Sequence, residues 1–195
     1  MKKIGITGSI GAGKSLVCKV LEFYNIPIFN ADNEAKIIMN NDVEIKDKLI
    51  QHFGDQIYIN NEINKTFLAN KIFSDENERL FVNSVVHPIV TKYFLKWCEN
   101  KHDTNIVGVE SALLFEAKID EILDFIIFID TPLENQINYV CKRDNISEAL
   151  AISKISTQNK QFIGKKFDFV IKNNHQDSLI EQIFCNINNY CSFSK

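Results

Sequence analysis

The sequence predicts an α/β fold in which a parallel sheet is wound by helices. Three observations predict it. Residues 8–15 read Gly-Ser-Ile-Gly-Ala-Gly-Lys-Ser, a complete G-x-x-x-x-G-K-[ST] phosphate-binding loop. Five short apolar runs, at 4–7, 26–29, 106–109, 125–129 and 169–171, have the character of buried parallel strands. Segments of helical spacing separate those runs, which is the doubly wound pattern. A chain of 195 residues, 45% of them apolar, has room for one such core plus an insertion.

The first run leads into the loop, and residues 16–24 leave it as a helix with Val17, Val20 and Leu21 on one face. Strand, glycine loop, helix is the order that phosphate binding requires. Gly8, Gly11 and Gly13 carry no Cβ, so the backbone can curl with its amides inward. The helix N-terminus behind the loop attracts anions. A phosphate chain is therefore the expected ligand of Gly8, Gly11, Ala12, Gly13, Lys14, Ser15 and Leu16, and ATP is named for it only by the resemblance given below. Lys14 reaches the β and γ phosphates, and the Ser15 hydroxyl ligates Mg2+.

The second run ends in Asn30-Ala31-Asp32. Parallel sheets bind ligands outside the carboxyl ends of their strands. Asp32 is thus placed to accept a proton from an attacking hydroxyl. A cap on a helix beginning at Asn33 fits the same position equally well. Residues 33–105 read as mostly helical, over 42–53, 65–73 and 76–86, with Pro88 opening the next helix. Glu110 ends the third run, where an acid holding a magnesium water is expected and a solvent-facing role fits as well. Residues 133–164 form a second polar helical stretch. The expected organisation is a core of 1–32, 106–132 and 165–195, a helical insertion over 33–105, and a lid over 133–164.

Composition excludes several classes. A net charge of -3 and a pI near 5.8 provide no global field for nucleic acid. Cys18, Cys98, Cys141, Cys185 and Cys191 are odd in number and form no C-x-x-C pair, which argues against a disulfide framework or zinc site. No leader-like or membrane-length apolar run is present, so a cytoplasmic location is expected. No N-K-x-D motif occurs, which argues against a GTPase switch. Oligomeric state stays open, with a monomer favoured.

Further landmarks carry a resemblance. G-x-I-G-x-G-K-S near the N-terminus is followed by Asn30-Ala31-Asp32, His87-Pro88, Leu113-Leu114-Phe115-Glu116, Gln136, Arg143-Asp144, Gln158, and Asp168 with Val170, Ile171 and Asn173. In this order, over about residues 3–180, they resemble the dephospho-CoA kinases, of the phosphate-loop kinase fold with a five-stranded parallel sheet. The resemblance implies phosphoryl transfer from ATP to the 3′-hydroxyl of dephospho-CoA, giving CoA and ADP. It implies Asp32 as base and an acceptor held by the insertion, with His87 and Glu116 as contacts, although helix entry or packing fits His87 equally and a surface ion pair fits Glu116. It further implies that Arg143 stabilises the transferring phosphoryl. Phe115 reads as packing. The chain departs from the family pattern at Asn30, normally an acid, and at Ala112, normally proline. Leu16 replaces a frequent threonine, and Lys65, Tyr139 and Lys154 stand at arginine positions. Lysine is a point charge without the planar bidentate fork. Two other readings use the same loop: a nucleoside-monophosphate-type kinase, and a nucleotide-binding module without turnover.

Overall fold

The computed structural model describes residues 1–174 and 176–192. The side chain of Cys191 and residues 193–195 of the expected core lie outside the described residues. The chain forms two compact units: Met1–Phe29 with Lys101–Lys195, and Asn30–Asn100.

The first unit is built on a five-stranded sheet in the order β2-β5-β1-β6-β7. Its strands are β1 (Lys2–Gly8), β2 (Ile28–Asn30), β5 (Ile106–Glu110), β6 (Phe125–Asp130) and β7 (Phe169–Lys172). β1 pairs in parallel with β5 and β6, and β6 with β7. The apolar runs of β1, β5 and β6 are continuous because both faces of these central strands are covered, whereas the edge strand β7 leaves Val170 exposed. Ile4, Ile6, Ile127, Ile129 and Ile171 are buried in one cluster with Val17 and Leu21 of α1 (Lys14–Phe23) and Ile183 of α8 (Leu179–Ser192). Each such side chain contributes roughly 1.5–3 kcal/mol of hydrophobic stabilisation. Asp168 closes the start of β7: its carboxylate accepts from Ile126 N at 2.7 Å, and its own N–H donates to Ile126 O. α6 (Leu133–Asp144) and α7 (Glu148–Asn159) follow β6 and share a small core of Val140, Ala151 and Ile155.

The second unit contains α2 (Ala31–Asn41), α3 (Val43–Phe53), α4 (Lys65–Ser74) and α5 (Glu76–Glu99). It also contains a hairpin, β3 (Tyr58–Ile59) with β4 (Glu62–Ile63), in a stretch read from sequence as mostly helical. Asn60 and Asn61 turn it at φ +51 and +65, the conformation a two-residue hairpin loop demands and asparagine tolerates.

Two expectations are corrected here. Pro88 does not open a helix; it lies inside the 24-residue α5. Val82, Val85, Val86, Ile89, Val90, Phe94 and Cys98 form one buried stripe that runs past it. Pro88 and Ser84, the residue whose carbonyl loses its helical partner, are both exposed, and burial on both flanks outweighs the lost bond. Nor does Asp32 cap a helix. α2 starts at Ala31, and its cap is Asn30, whose side chain accepts from Asn33 N at 2.8 Å. Asn30 thereby performs the capping that an aspartate would perform, since the two are equivalent N-caps.

Candidate active site

The phosphate loop joins β1 to α1. Gly11 and Gly13 take φ +78 and +87, a region that favours glycine. A Cβ on Gly11 would lie 2.9 Å from the Gln136 carbonyl and 2.9 Å from Val140 Cγ2. Gly13 is the N-cap of α1, so Lys14, Ser15 and Leu16 supply its first amides. The loop is pinned from outside. The Ala12 carbonyl accepts from Thr131 Oγ1 at 2.8 Å and from Asn173 Nδ2 at 3.0 Å. Gln136, 7% exposed, donates to the Thr131 carbonyl at 2.6 Å. Turning the Ala12 carbonyl outward leaves the neighbouring amides to face inward.

Lys14 is buried, and its ammonium donates to the Gly8 and Ser9 carbonyls at 3.0 and 3.2 Å. The cation is thus held over the concave side of the loop by the loop itself. Ser15, in the first turn of α1, donates through Oγ to Glu110 Oε1 at 3.4 Å. Glu110 is 6% exposed, so the solvent-facing reading of this residue falls. The buried Cys18 thiol lies beside it. Burial, and then the Glu110 charge, push that thiol's pKa well up. A hydroxyl and a carboxylate, both hard oxygen donors, therefore meet at the start of α1. Among the described residues no cluster of three His, Cys, Asp or Glu could hold a metal, so any cation here would draw further ligands from phosphate and water.

Beside the loop is a cavity of about 310 Å³ lined in part by Ser9, Gln136, Asn159 and Phe162. Ser9 Oγ, Gln136 Oε1 and Asn159 Oδ1 are buried without a hydrogen-bond partner.

The remaining expected residues are placed as follows. Arg143, near the end of α6, makes a bidentate pair with Asp144 at 2.8 and 3.1 Å, and lies 5.8 Å from the Tyr139 ring. Its hydrogen-bond partner is thus the adjacent carboxylate rather than a phosphate-loop residue. That pairing, led by the hydrogen bond, holds the Asp144 carboxyl below its ordinary range. Glu116 is half-buried in the turns after β5, and Phe115 packs edge-on against Phe162 and Phe167. In the second unit, Asp32 is half-buried in the first turn of α2, where the helix dipole favours its charge. His87 is half-buried midway along α5, and Lys65 is the exposed first residue of α4. Thr131 and Gln161 were not singled out from the sequence. The Asp130-Thr131-Pro132 step from strand to helix was the available signal for the first. Nothing local marks the second.

The comparisons with known proteins agree with one another. The family model described as dephospho-CoA kinase matches residues 2–178. A dephospho-CoA kinase of Bacteroides fragilis is 34% identical over 182 residues, covering 93% of this chain and 89% of its own. One from Fusobacterium nucleatum is 33% identical over 191 residues, 96% of each chain. Among solved structures, a Thermus thermophilus protein superposes with a TM-score of 0.83 at 24% identity over 97% of both chains. A dephospho-CoA kinase from Campylobacter jejuni gives 0.69 at 22% identity over the whole of both. A shikimate kinase from Bacteroides thetaiotaomicron shares the fold at 0.57 and 11% identity, covering 98% of each chain.

Proposed function

The chain belongs to the dephospho-CoA kinase family, and from that premise we propose that it transfers the γ-phosphoryl of ATP to the 3′-hydroxyl of dephospho-CoA, the closing step of coenzyme A synthesis. The observation that carries the chemistry is the loop with Lys14 held over it and Ser15 meeting Glu110 at its exit.

Phosphoryl transfer asks the protein for position and charge more than for covalent chemistry. The amides of Gly11, Gly13, Lys14 and Ser15 would bind the phosphate chain, while those of Ala12 and Leu16 donate to the Ser9 and Gly13 carbonyls and hold the loop's turn. Lys14 exchanges its carbonyl partners for β and γ oxygens and holds the donor phosphate in line. Ser15 and Glu110 would hold magnesium, the first directly and the second through a water. When bound, the ion offsets charge on the phosphate oxygens. Asp32 is the proposed base. It follows the end of β2 by two residues, and strand ends of this kind are where parallel sheets bind ligands. Its carboxylate accepts the 3′-hydroxyl proton as the oxygen attacks, while the leaving oxygen departs with ADP. Residues 33–105 would hold the acceptor, with His87 a contact there and Glu116 a contact from the core. The 133–164 segment would cover the phosphates and exclude competing water. Arg143, released from Asp144, would stabilise the transferring group.

The test is product formation from ATP, Mg2+ and dephospho-CoA, read as CoA and ADP, with a nucleoside monophosphate as the control acceptor. Asp32→Asn should retain ATP binding and lose about 10²- to 10⁴-fold in turnover. A variant rate near wild type would remove Asp32 from the chemistry. Phosphorylation of the control acceptor alone would overturn the substrate.

A further inference from the structure

Besides the close approach of Gly11 to α6, the phosphate loop meets the pair α6 and α7 through Ile10. Its side chain packs against the buried core of Val140, Ala151 and Ile155 between those helices. Its backbone N–H donates to Gln158 Oε1 at 2.5 Å. The other end of the same amide, Gln158 Nε2, donates to the Ala112 carbonyl at 3.2 Å, two residues beyond Glu110. Gln161 donates to that carbonyl too, at 2.7 Å, but its own Oε1 has no hydrogen-bond partner among the described residues. A neutral amide suits the bridge, because it accepts on one side and donates on the other.

The consequence runs through a single peptide plane. The Ile10 N–H and the Ser9 carbonyl belong to one planar unit, so fixing the first fixes the second. The Ser9 carbonyl accepts from Lys14 Nζ at 3.2 Å and from Ala12 N at 3.1 Å. Gln158 therefore orients an acceptor used by the loop cation and by the loop's own turn. We propose that Gln158 is a positioning residue for nucleotide binding: it locks the Ser9–Ile10 peptide and through it sets Lys14 and the curl of the loop. The departure at Ala112 is harmless to this bridge, since alanine and proline offer the same carbonyl. The inference rests on residues 8–15 being the nucleotide site and not on the identity of the acceptor.

The experiment measures ADP binding with Mg2+ by calorimetry, and exchange of the Ile10 amide by NMR, in wild type and three variants. Gln158→Leu should weaken ADP binding about 5- to 50-fold and speed Ile10 exchange by a comparable factor. Gln161→Leu should leave binding within about twofold, because Ala112 keeps its bond from Gln158. Gln158→Glu should bind poorly at pH 8 and recover toward wild type as the pH falls through the titration of the introduced carboxyl, ordinarily at about 4.3. The protonated carboxyl again accepts from Ile10 and donates to Ala112, while the carboxylate repels that carbonyl. A protein that binds ADP but makes no CoA would sink the substrate reading and leave this test intact. ADP binding by Gln158→Leu within twofold of wild type would overturn the proposal, as would an equal loss in Gln161→Leu. If Gln158→Leu does not fold, Gln158→Glu decides: an affinity that tracks wild type across the pH range would refute the bridge.

Discussion

Alanine at Gly11 should destabilise the protein more than alanine at Gly164, although the two glycines share nearly the same backbone conformation. Gly11 lies at φ +78 and Gly164 at φ +72. An L-residue in this region costs about 1–2 kcal/mol. Lost freedom in the unfolded chain returns about 0.4–1 kcal/mol. Both terms are common to the two sites. The difference is space: nothing lies within 4 Å of a Cβ at Gly164, whereas at Gly11 it meets the Gln136 carbonyl and Val140 Cγ2, each at 2.9 Å. The carbonyl is backbone in the first turn of α6, so it yields only if that helix shifts. Overpacking of this kind costs roughly 1–3 kcal/mol. For a chain of this size, about 2–4 °C accompanies each kcal/mol. Gly11→Ala should therefore melt about 2–12 °C below Gly164→Ala in scanning calorimetry, and it should also weaken ADP binding. Equal melting temperatures for the two variants would show that the loop and α6 are not in the close contact described.

Lys14→Met, which keeps the volume of the buried side chain, should weaken nucleotide binding about 10- to 100-fold by isothermal titration, the value of a charge-assisted bond. Glu110→Gln should raise the magnesium needed for half-maximal turnover about 10- to 100-fold, the usual consequence of losing an outer-shell partner; an unchanged magnesium titration would exclude that role. Cys18 should resist alkylation at pH 8 in the native protein while the exposed Cys185 reacts, as read by peptide mass mapping. Because the Cys18 pKa is raised by folding, its contribution to stability is complete below about pH 8.5 and declines as the pH rises further. A Cys18→Ala variant should lose that part of the alkaline decline in denaturant titrations.

Helix periodicity and turn chemistry, rather than any single residue, explain what could be read in advance. The central strands β1, β5 and β6 were visible because parallel strands covered on both faces are written as continuous apolar runs, and the edge strands by their short apolar content. The helix over 76–99 was read as two, divided at Pro88, because proline breaks a helical pattern, and only the burial of one face from Val82 to Cys98 carries the helix past it. The hairpin at Asn60-Asn61 was hidden because its strands are two residues each, too short to show alternation. Asn30 and Asp32 illustrate the limit of position alone, since a shift of two residues in the helix start exchanged which of them caps.

The sequence alone determined the phosphate loop, the strand order's raw material and the kinship, because each depends on neighbours along the chain. Gly13 must turn and Lys14 must follow it whatever the rest of the protein does. Tertiary structure alone decided what holds that loop. Ile10 meets Gln158 across 148 positions, Ala12 meets Thr131 across 119 and Asn173 across 161. No local propensity encodes such pairs. The Thr131 and Asn173 pairs arise when the burial of β1, β6 and β7 in one sheet brings their carboxyl ends together, and the Gln158 pair when α7 packs on Ile10; backbone groups there must find partners.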